Sequence, residues 1–281
     1  MHSRREIVAV GGSLLGAALA GCSTLVDDDL DIAVDSDYRE WLPEVRTDRR
    51  EVIVSNPADI LDIDDGQEGS IFGTPTGEVV HLVSAVDGDG ARVVVAVGAF
   101  EVAAAREGFE TAEAVETAED SEYGRYDVFT TVEQDTGFTT FAAREDVAIA
   151  TTSRELFESV ADAESGDGTR LVEDVAAFET VADELGNLDW LEFDVTPEGD
   201  GALNGDRLVR GQGFEFAEAT TAFTEVSVYA SEEAAREKEQ QAVERWDEYE
   251  RGTSNVETSV EGRTLVVTGE QETDHVRVLG G

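Results

Sequence analysis

The chain has 281 residues and carries 64 acidic against 20 basic side chains, for a formal net charge of −44 at neutral pH. Its apolar residues make up 41% of the total and fall in periodic runs, which excludes a disordered polyanion, since disorder pairs high charge with low hydrophobicity. The same acidic excess argues against nucleic acid as a partner, because phosphate backbones are held by Lys and Arg.

The chain opens on Ser3-Arg4-Arg5-Glu6, then runs uncharged from Ile7 to Ala20 and closes on Leu19-Ala20-Gly21-Cys22. That run is shorter than the roughly 20 apolar residues a helix needs to cross a bilayer. Its length and its Gly and Ala content suit the apolar region of a signal peptide. Arg4 and Arg5 ahead of it resemble a twin-arginine export signal, which implies a chain exported already folded. Leu19-Ala20-Gly21-Cys22 resembles a lipoprotein lipobox, which implies cleavage before Cys22 and lipid attachment to its thiol. Cys22 is the single cysteine of the chain, so no internal disulfide is available. Residues 1–21 are expected to be the signal, and the mature chain is expected to be lipid-anchored at Cys22 on the extracytoplasmic face of the membrane.

Residues 22–44 are expected to form an acidic tether. The run Asp27-Asp28-Asp29-Leu30-Asp31 reads as a solvated spacer, because blocks of like charge extend and repel. Arg39, Arg46, Arg49 and Arg50 then cluster near Trp41, and the acids Asp37, Glu40, Glu44, Asp48 and Glu51 among them predict local ion pairs.

A first lobe is expected over 45–167. Glu51 to Val54 reads as a strand, and Asn56-Pro57-Ala58-Asp59 as a helical turn with Asn as cap. Asp62-Ile63-Asp64-Asp65-Gly66 lacks the Gly and Glu positions of a calcium loop. Val79 to Val86 and Arg92 to Phe100 are β-branched runs around an Asp-Gly-Asp-Gly turn, hence a hairpin. Ala103 to Glu107 predicts a short helix stopped at Gly108. Strands follow at Tyr126 to Val132, Gly137 to Ala143 and Val147 to Thr151. Thr152-Ser153-Arg154-Glu155 has capping-box form and starts a helix, which Gly166-Asp167-Gly168 ends.

A second lobe is expected over 168–281. Val175, Phe178, Val181, Ala182 and Leu185 form one apolar stripe with Gly186 in the C′ position. Leu191 to Val195 alternates as a half-buried strand, and Arg207 to Phe216 and Ala222 to Tyr229 are further strands. The longest helix spans Ser231 to Glu250, with Ala235, Ala242, Trp246 and Tyr249 on one face predicted to be core. Val256 to Val260 and Arg263 to Thr268 close the chain as a hairpin. Val97, Ala99, Glu101, Ala103 and Ala104 match Val228, Ala230, Glu232, Ala234 and Ala235 at one offset, each set at a strand-to-helix junction. The expected class is therefore α+β, with two related lobes, each an antiparallel sheet covered by helices.

Chemistry is thinly represented. Beyond the signal there are two histidines, His81 and His275, far apart in sequence and without a ligand partner at motif spacing. No nucleophile elbow, zinc helix or phosphate loop occurs. No catalytic, cofactor or metal residue is assigned. The function expected is a non-catalytic binding or envelope-associated role, with a transporter's solute-binding receptor and a carboxylate-dependent hydrolase as alternatives.

Lysine occurs once, at Lys238. With Cys22 and the twin arginine, this acidic, lysine-poor composition resembles lipoproteins of halophilic archaea, which implies a localisation and no activity. In molar salt the screening length falls to about 3 Å, so repulsion among surface carboxylates is suppressed. The mature domain is therefore expected to lose cooperative thermal unfolding as KCl falls from molar to about 0.1 M; a transition indifferent to salt contradicts the salt-adapted reading.

Overall fold

β1 (Arg50–Ser55) buries Arg50, Val52 and Val54 while Glu51 and Ile53 remain half-buried, and this two-residue period assigns its two faces. The computed structural model describes residues 37–45, 47, 49–57, 70–113, 115–131, 137–196, 206–217, 219–249 and 253–273. Cys22, Arg4, Arg5, the acidic spacer, the Asp62 turn and His275 lie outside them.

β1 pairs on one side with β4 (Val79–Asp87), which continues through a turn into β5 (Arg92–Gly98). After α1 (Val102–Glu113) come β6 (Thr117–Tyr123), β7 (Tyr126–Thr131), β8 (Thr140–Arg144) and β9 (Val147–Thr151). β9 pairs with β5. α2 (Arg154–Ser165), the single turn α3 (Leu171–Asp174) and α4 (Ala176–Leu185) lead to β10 (Trp190–Val195), which pairs with the other side of β1. β11 (Arg207–Glu215), β12 (Thr220–Tyr229), α5 (Glu232–Tyr249), β13 (Thr253–Glu261) and β14 (Thr264–Glu272) complete the order. The strands β13-β14-β12-β11-β10-β1-β4-β5-β9-β8-β7-β6 form one twelve-stranded sheet, antiparallel at every pairing. A two-residue hairpin, β2 (Ser70–Ile71) with β3 (Thr74–Pro75), stands apart from it. The α+β class and the antiparallel pairing are as expected, while the strands of the first and second halves lie in one sheet rather than in two.

Three helices cover one face, here the inner face. Phe157 and Val160 of α2, Leu171 of α3, and Phe178 and Val181 of α4 pack with Val52, Val54, Val95, Phe193 and Val226 in one core that runs across both halves. The segment before β1 joins that core. Tyr38, Trp41 and Leu42 are buried, and Leu42 accepts from the Leu171 amide at 2.8 Å. Residues 38–42, at the end of the expected tether, thus pack against the sheet, because a Tyr, a Trp and a Leu together bury more apolar surface than a spacer leaves exposed.

Three of the four clustered arginines, Arg39, Arg49 and Arg50, pair with carboxylates distant in sequence. Arg39 donates to Asp37 nearby and to Asp183 at 2.6 Å, while Arg50 forks onto Asp87 at 2.5 and 2.9 Å and also donates to the Pro43 carbonyl. Arg50 is 2% exposed, so this pair joins β1, β4 and the preceding segment out of water, where removal of either partner strands the other's charge.

α2 starts where its capping sequence predicts, with the Ser153 hydroxyl accepting from the Leu156 amide, and ends at Gly166 in the left-handed conformation. The predicted stop at Gly108 is corrected: α1 continues through it to Glu113. Gly108 lies against the backbone of Phe72 and Gly73, where a Cβ has no room, so this glycine serves close approach of the β2–β3 hairpin. Gly108→Ala gains about 1 kcal/mol of helix propensity but must push the hairpin backbone away. Net destabilisation of about 1–3 kcal/mol is expected in chemical unfolding; a stabilised variant contradicts the packing role.

Candidate functional site

The outer face is covered at its two ends. α1 packs through Ala105 and Phe109 over Val94, Phe141 and Ala150, and α5 packs through Ala235 and Ala242 over Phe223, Leu265 and Val267. The outward residues of β1 and β10 belong to neither core, and from β4 and β11 only Val79, Leu82 and Phe214 touch one. Among the described residues, a trough four strands wide therefore lies open between the helices, about 14 Å across at ordinary strand spacing.

Register aligns its lining in rows. Leu82, Ser55, Trp190, Phe214 and Phe223 stand side by side from β4 to β12. The next row is Ser84, Ile53, Glu192, Gln212 and Glu225, and the third is Val86, Glu51, Asp194, Arg210 and Ser227. One end of the trough is thus aromatic and the other polar. Just past β11, Phe216 stacks on Phe214 with centroids 6.2 Å apart and planes at 11°. The Asp189 carboxylate accepts from the Phe216 amide at 2.7 Å, and its carbonyl accepts from Asn56 at 2.9 Å. Asp189 therefore ties together the ends of β1, β10 and β11 that carry the aromatic row.

At the polar end, Arg210 Nη2 donates to Glu225 Oε2 at 2.8 Å and to Gln212 Oε1 at 2.9 Å. Arg49 reaches Asp194 with two nitrogens at 3.1 and 3.3 Å and also pairs with Glu51. Arg207 lies 3.7 Å from the Asp194 carboxylate. Burial works to lower the Arg210 pKa, but Glu225, with Glu192 and Asp194 behind it, outweighs burial and raises it. For Arg207, burial and the neighbouring Arg210 prevail over Asp194 and lower the value. Among the described residues, two buried polar atoms here have no hydrogen-bond partner, Arg210 Nε and Ser227 Oγ, on residues directly opposite in the β11–β12 register. The fork is balanced in charge by Glu225 but not saturated in hydrogen bonds.

The glycines of β11 hold up the reverse side. A Cβ on Gly211 would strike Val181, Leu185 and Phe193, and one on Gly213 would strike Leu188 and Leu191. Their absence lets α4 settle closely on the inner face, leaving Arg210, Gln212 and Phe214 to the outer one.

A second hollow, of about 770 Å³, opens beside α1 and is lined by Glu101, Arg106, Glu107, Glu110, Asp127 and Phe129. Two of its polar groups, Arg106 and Glu110, are engaged with each other and with Thr117. Arg106 donates to Thr117 Oγ1 at 2.7 Å and to Glu110 at 3.2 Å while lying over Phe129, and hydrogen bonds from Thr117 lower the Glu110 pKa.

His81 lies in β4, half-buried, and burial lowers its pKa against the pull of Asp37. Among the described residues no group of three His, Cys, Asp or Glu is placed to hold a metal, and no described helix is long and apolar enough to cross a membrane. Ala235 and Ala242 are buried as predicted, whereas the side chains of Trp246 and Tyr249 lie outside the described residues. The sequence reading passed over Trp190, Arg210, Gln212, Phe214 and Phe216. Their signal was an aromatic pair, Phe214 and Phe216, on the face of β11 that also carries Arg210 and Gln212, where simple alternation leads one to expect solvent.

No family model matches the chain, and no curated protein matches it. Among solved structures it is similar to crystal form IV of TP0453, at 9% identity and a TM-score of 0.52, over 84% of this chain and 94% of that one. Crystal form I of TP0453 aligns at 11% identity and a TM-score of 0.49, over 88% and 97%. The likeness to form IV is one of fold.

The Arg210–Glu225 pair has side chains only 17% and 4% exposed. Glu225→Ala is expected to cost about 3 kcal/mol or more by leaving the guanidinium uncompensated. An Arg210→Met, Glu225→Leu double variant is expected to regain most of that loss in urea unfolding. A mild single-variant effect contradicts the buried pairing.

Proposed function

We propose that the chain is a lipid-anchored, extracytoplasmic binding module of a salt-adapted cell, non-catalytic, holding an envelope component on the open middle of its sheet. One observation carries the reading: four adjacent strands present an aromatic row and a polar row which, among the described residues, the cores of α1 and α5 touch only at the edges, at Val79, Leu82 and Phe214. A binding surface is characteristically apolar with a few convergent polar groups, and this trough has that make-up. Its residues sit on strands rather than loops, and the opposite face is packed by α2 to α4, which supports a rigid platform.

The reading includes two related lobes. β1, β4, β5 and α1 follow one another as β10, β11, β12 and α5 do, and β9 and β14 take equivalent places beside β5 and β12. The matched residues Val97 to Ala104 and Val228 to Ala235 fall at the corresponding junctions, β5 to α1 and β12 to α5. The trough then lies where the lobes meet, at β1 and β10.

Anchoring rests on Arg4, Arg5 and Cys22. Cys22→Ser is expected to move the exported protein from the membrane fraction to the soluble fraction. Trp190→Ala with Cys22 intact is expected to leave fractionation unchanged while abolishing capture of isolated cell envelope by the purified mature domain. Retention of the Cys22→Ser protein in membranes contradicts the anchor, and undiminished envelope capture by the Trp190→Ala domain contradicts the role of the trough.

A further inference from the structure

Resting on that reading, we propose that the trough takes a neutral saccharide, with a sugar ring on the Trp190, Phe214 and Phe216 row and its hydroxyls on Arg210, Gln212 and Glu192. The aromatic residues are half-buried: Trp190 stands opposite Phe214 across β10 and β11, and Phe216, stacked on Phe214, is tied by its amide to Asp189. They offer a flat apolar surface of the kind that receives the C–H face of a sugar. Two positions along the same strands Glu192 and Gln212 stand opposite each other, and two positions further Arg210 follows in the next row, within reach of a second sugar unit.

Charge decides among ligand classes. The trough holds Arg49, Arg207 and Arg210 against Glu51, Glu192, Asp194 and Glu225, so at the contact distances that salt does not screen an anion meets more carboxylates than guanidinium groups, each of which already faces a carboxylate. A bare cation is disfavoured by the donors that line the same end, with Arg210 Nε still lacking an acceptor. A hydroxyl both donates to a carboxylate and accepts from a guanidinium or amide, so a neutral polyol meets the whole row. Hydrogen bonding and stacking also persist in molar salt, where attraction between opposite charges is screened within about 3 Å.

The test is binding of the intact mature domain, in molar KCl, to an array of neutral and acidic oligosaccharides, with saturation-transfer NMR on the bound sugars. Neutral glycans are expected to bind. Trp190→Ala is expected to weaken them about tenfold, the effect of losing one aromatic anchor, as is Arg210→Met paired with Glu225→Leu to keep the fold neutral in charge. Saturation is expected at ring C–H protons. Phe129→Leu, in the hollow beside α1, is expected to leave binding unchanged. No neutral glycan bound, acidic glycans alone bound, or binding indifferent to Trp190→Ala each overturns the saccharide. If envelope capture is lost in Trp190→Ala yet no neutral glycan binds or competes, the saccharide fails while the binding role of the trough stands.

Discussion

Everything in this molecule depends on β1 pairing with β10. The two strands are separated by nearly half of the sequence, and each brings its own antiparallel neighbours, β4 with β5 and β11 with β12. Their six-residue register sets Val52 against Phe193 and Val54 against Leu191 on the inner face. A slip of one residue would turn Phe193 outward and bring Glu192 into the core, so burial holds the register as firmly as the hydrogen bonds do. Arg50, forked onto Asp87 and Pro43, fixes the same strand from its start.

From this pairing follows the difference between the faces. The inner face becomes continuous, and α2, α3 and α4 share one apolar core from Val226 to Ile149. On the outer face α1 and α5 each stay with the strands of their own half, at opposite ends, and the middle is left to half-buried residues around the buried Ser55. Trp190 belongs to neither outer core among the described residues and Phe214 only touches the edge of the α5 core, which leaves apolar area half-exposed in the middle of the sheet. The ends are also treated differently from the centre. β13 and β6, the outermost strands, carry bulges at Ser254/Glu257 and Glu119/Ser121, and acidic residues that discourage pairing with another sheet.

Much of the local structure was legible in the sequence. The stripe from Val175 to Leu185 with Gly186 behind it, the alternation from Leu191 to Val195, and the hairpin at Asp87-Gly88-Asp89-Gly90 each depend on near neighbours, and each is found. β6 was missed because Thr117-Ala118-Glu119-Asp120-Ser121 has the look of a loop and gains its strand form from pairing with β7. Gly108 looks like a helix stop in the sequence because its actual neighbour, Gly73, is distant in the chain. The union of both halves in one sheet left no local mark, since no window of residues contains both β1 and β10. The trough was hidden for the same reason. Arg210, Glu225, Trp190 and Ser55 acquire a common setting only when four strands are laid side by side.

Among the described residues the middle of the outer face is open, and its exposure can be measured without knowing any ligand. Hydroxyl-radical footprinting of the folded mature domain in molar KCl, read by mass spectrometry, compares aromatic side chains within one sample. Trp190, Phe214 and Phe216 are predicted to oxidise readily, while Trp41, Phe178 and Phe193, buried on the inner face, stay protected. Protection of Trp190 equal to that of Trp41 would mean that the trough is covered, and would contradict the account.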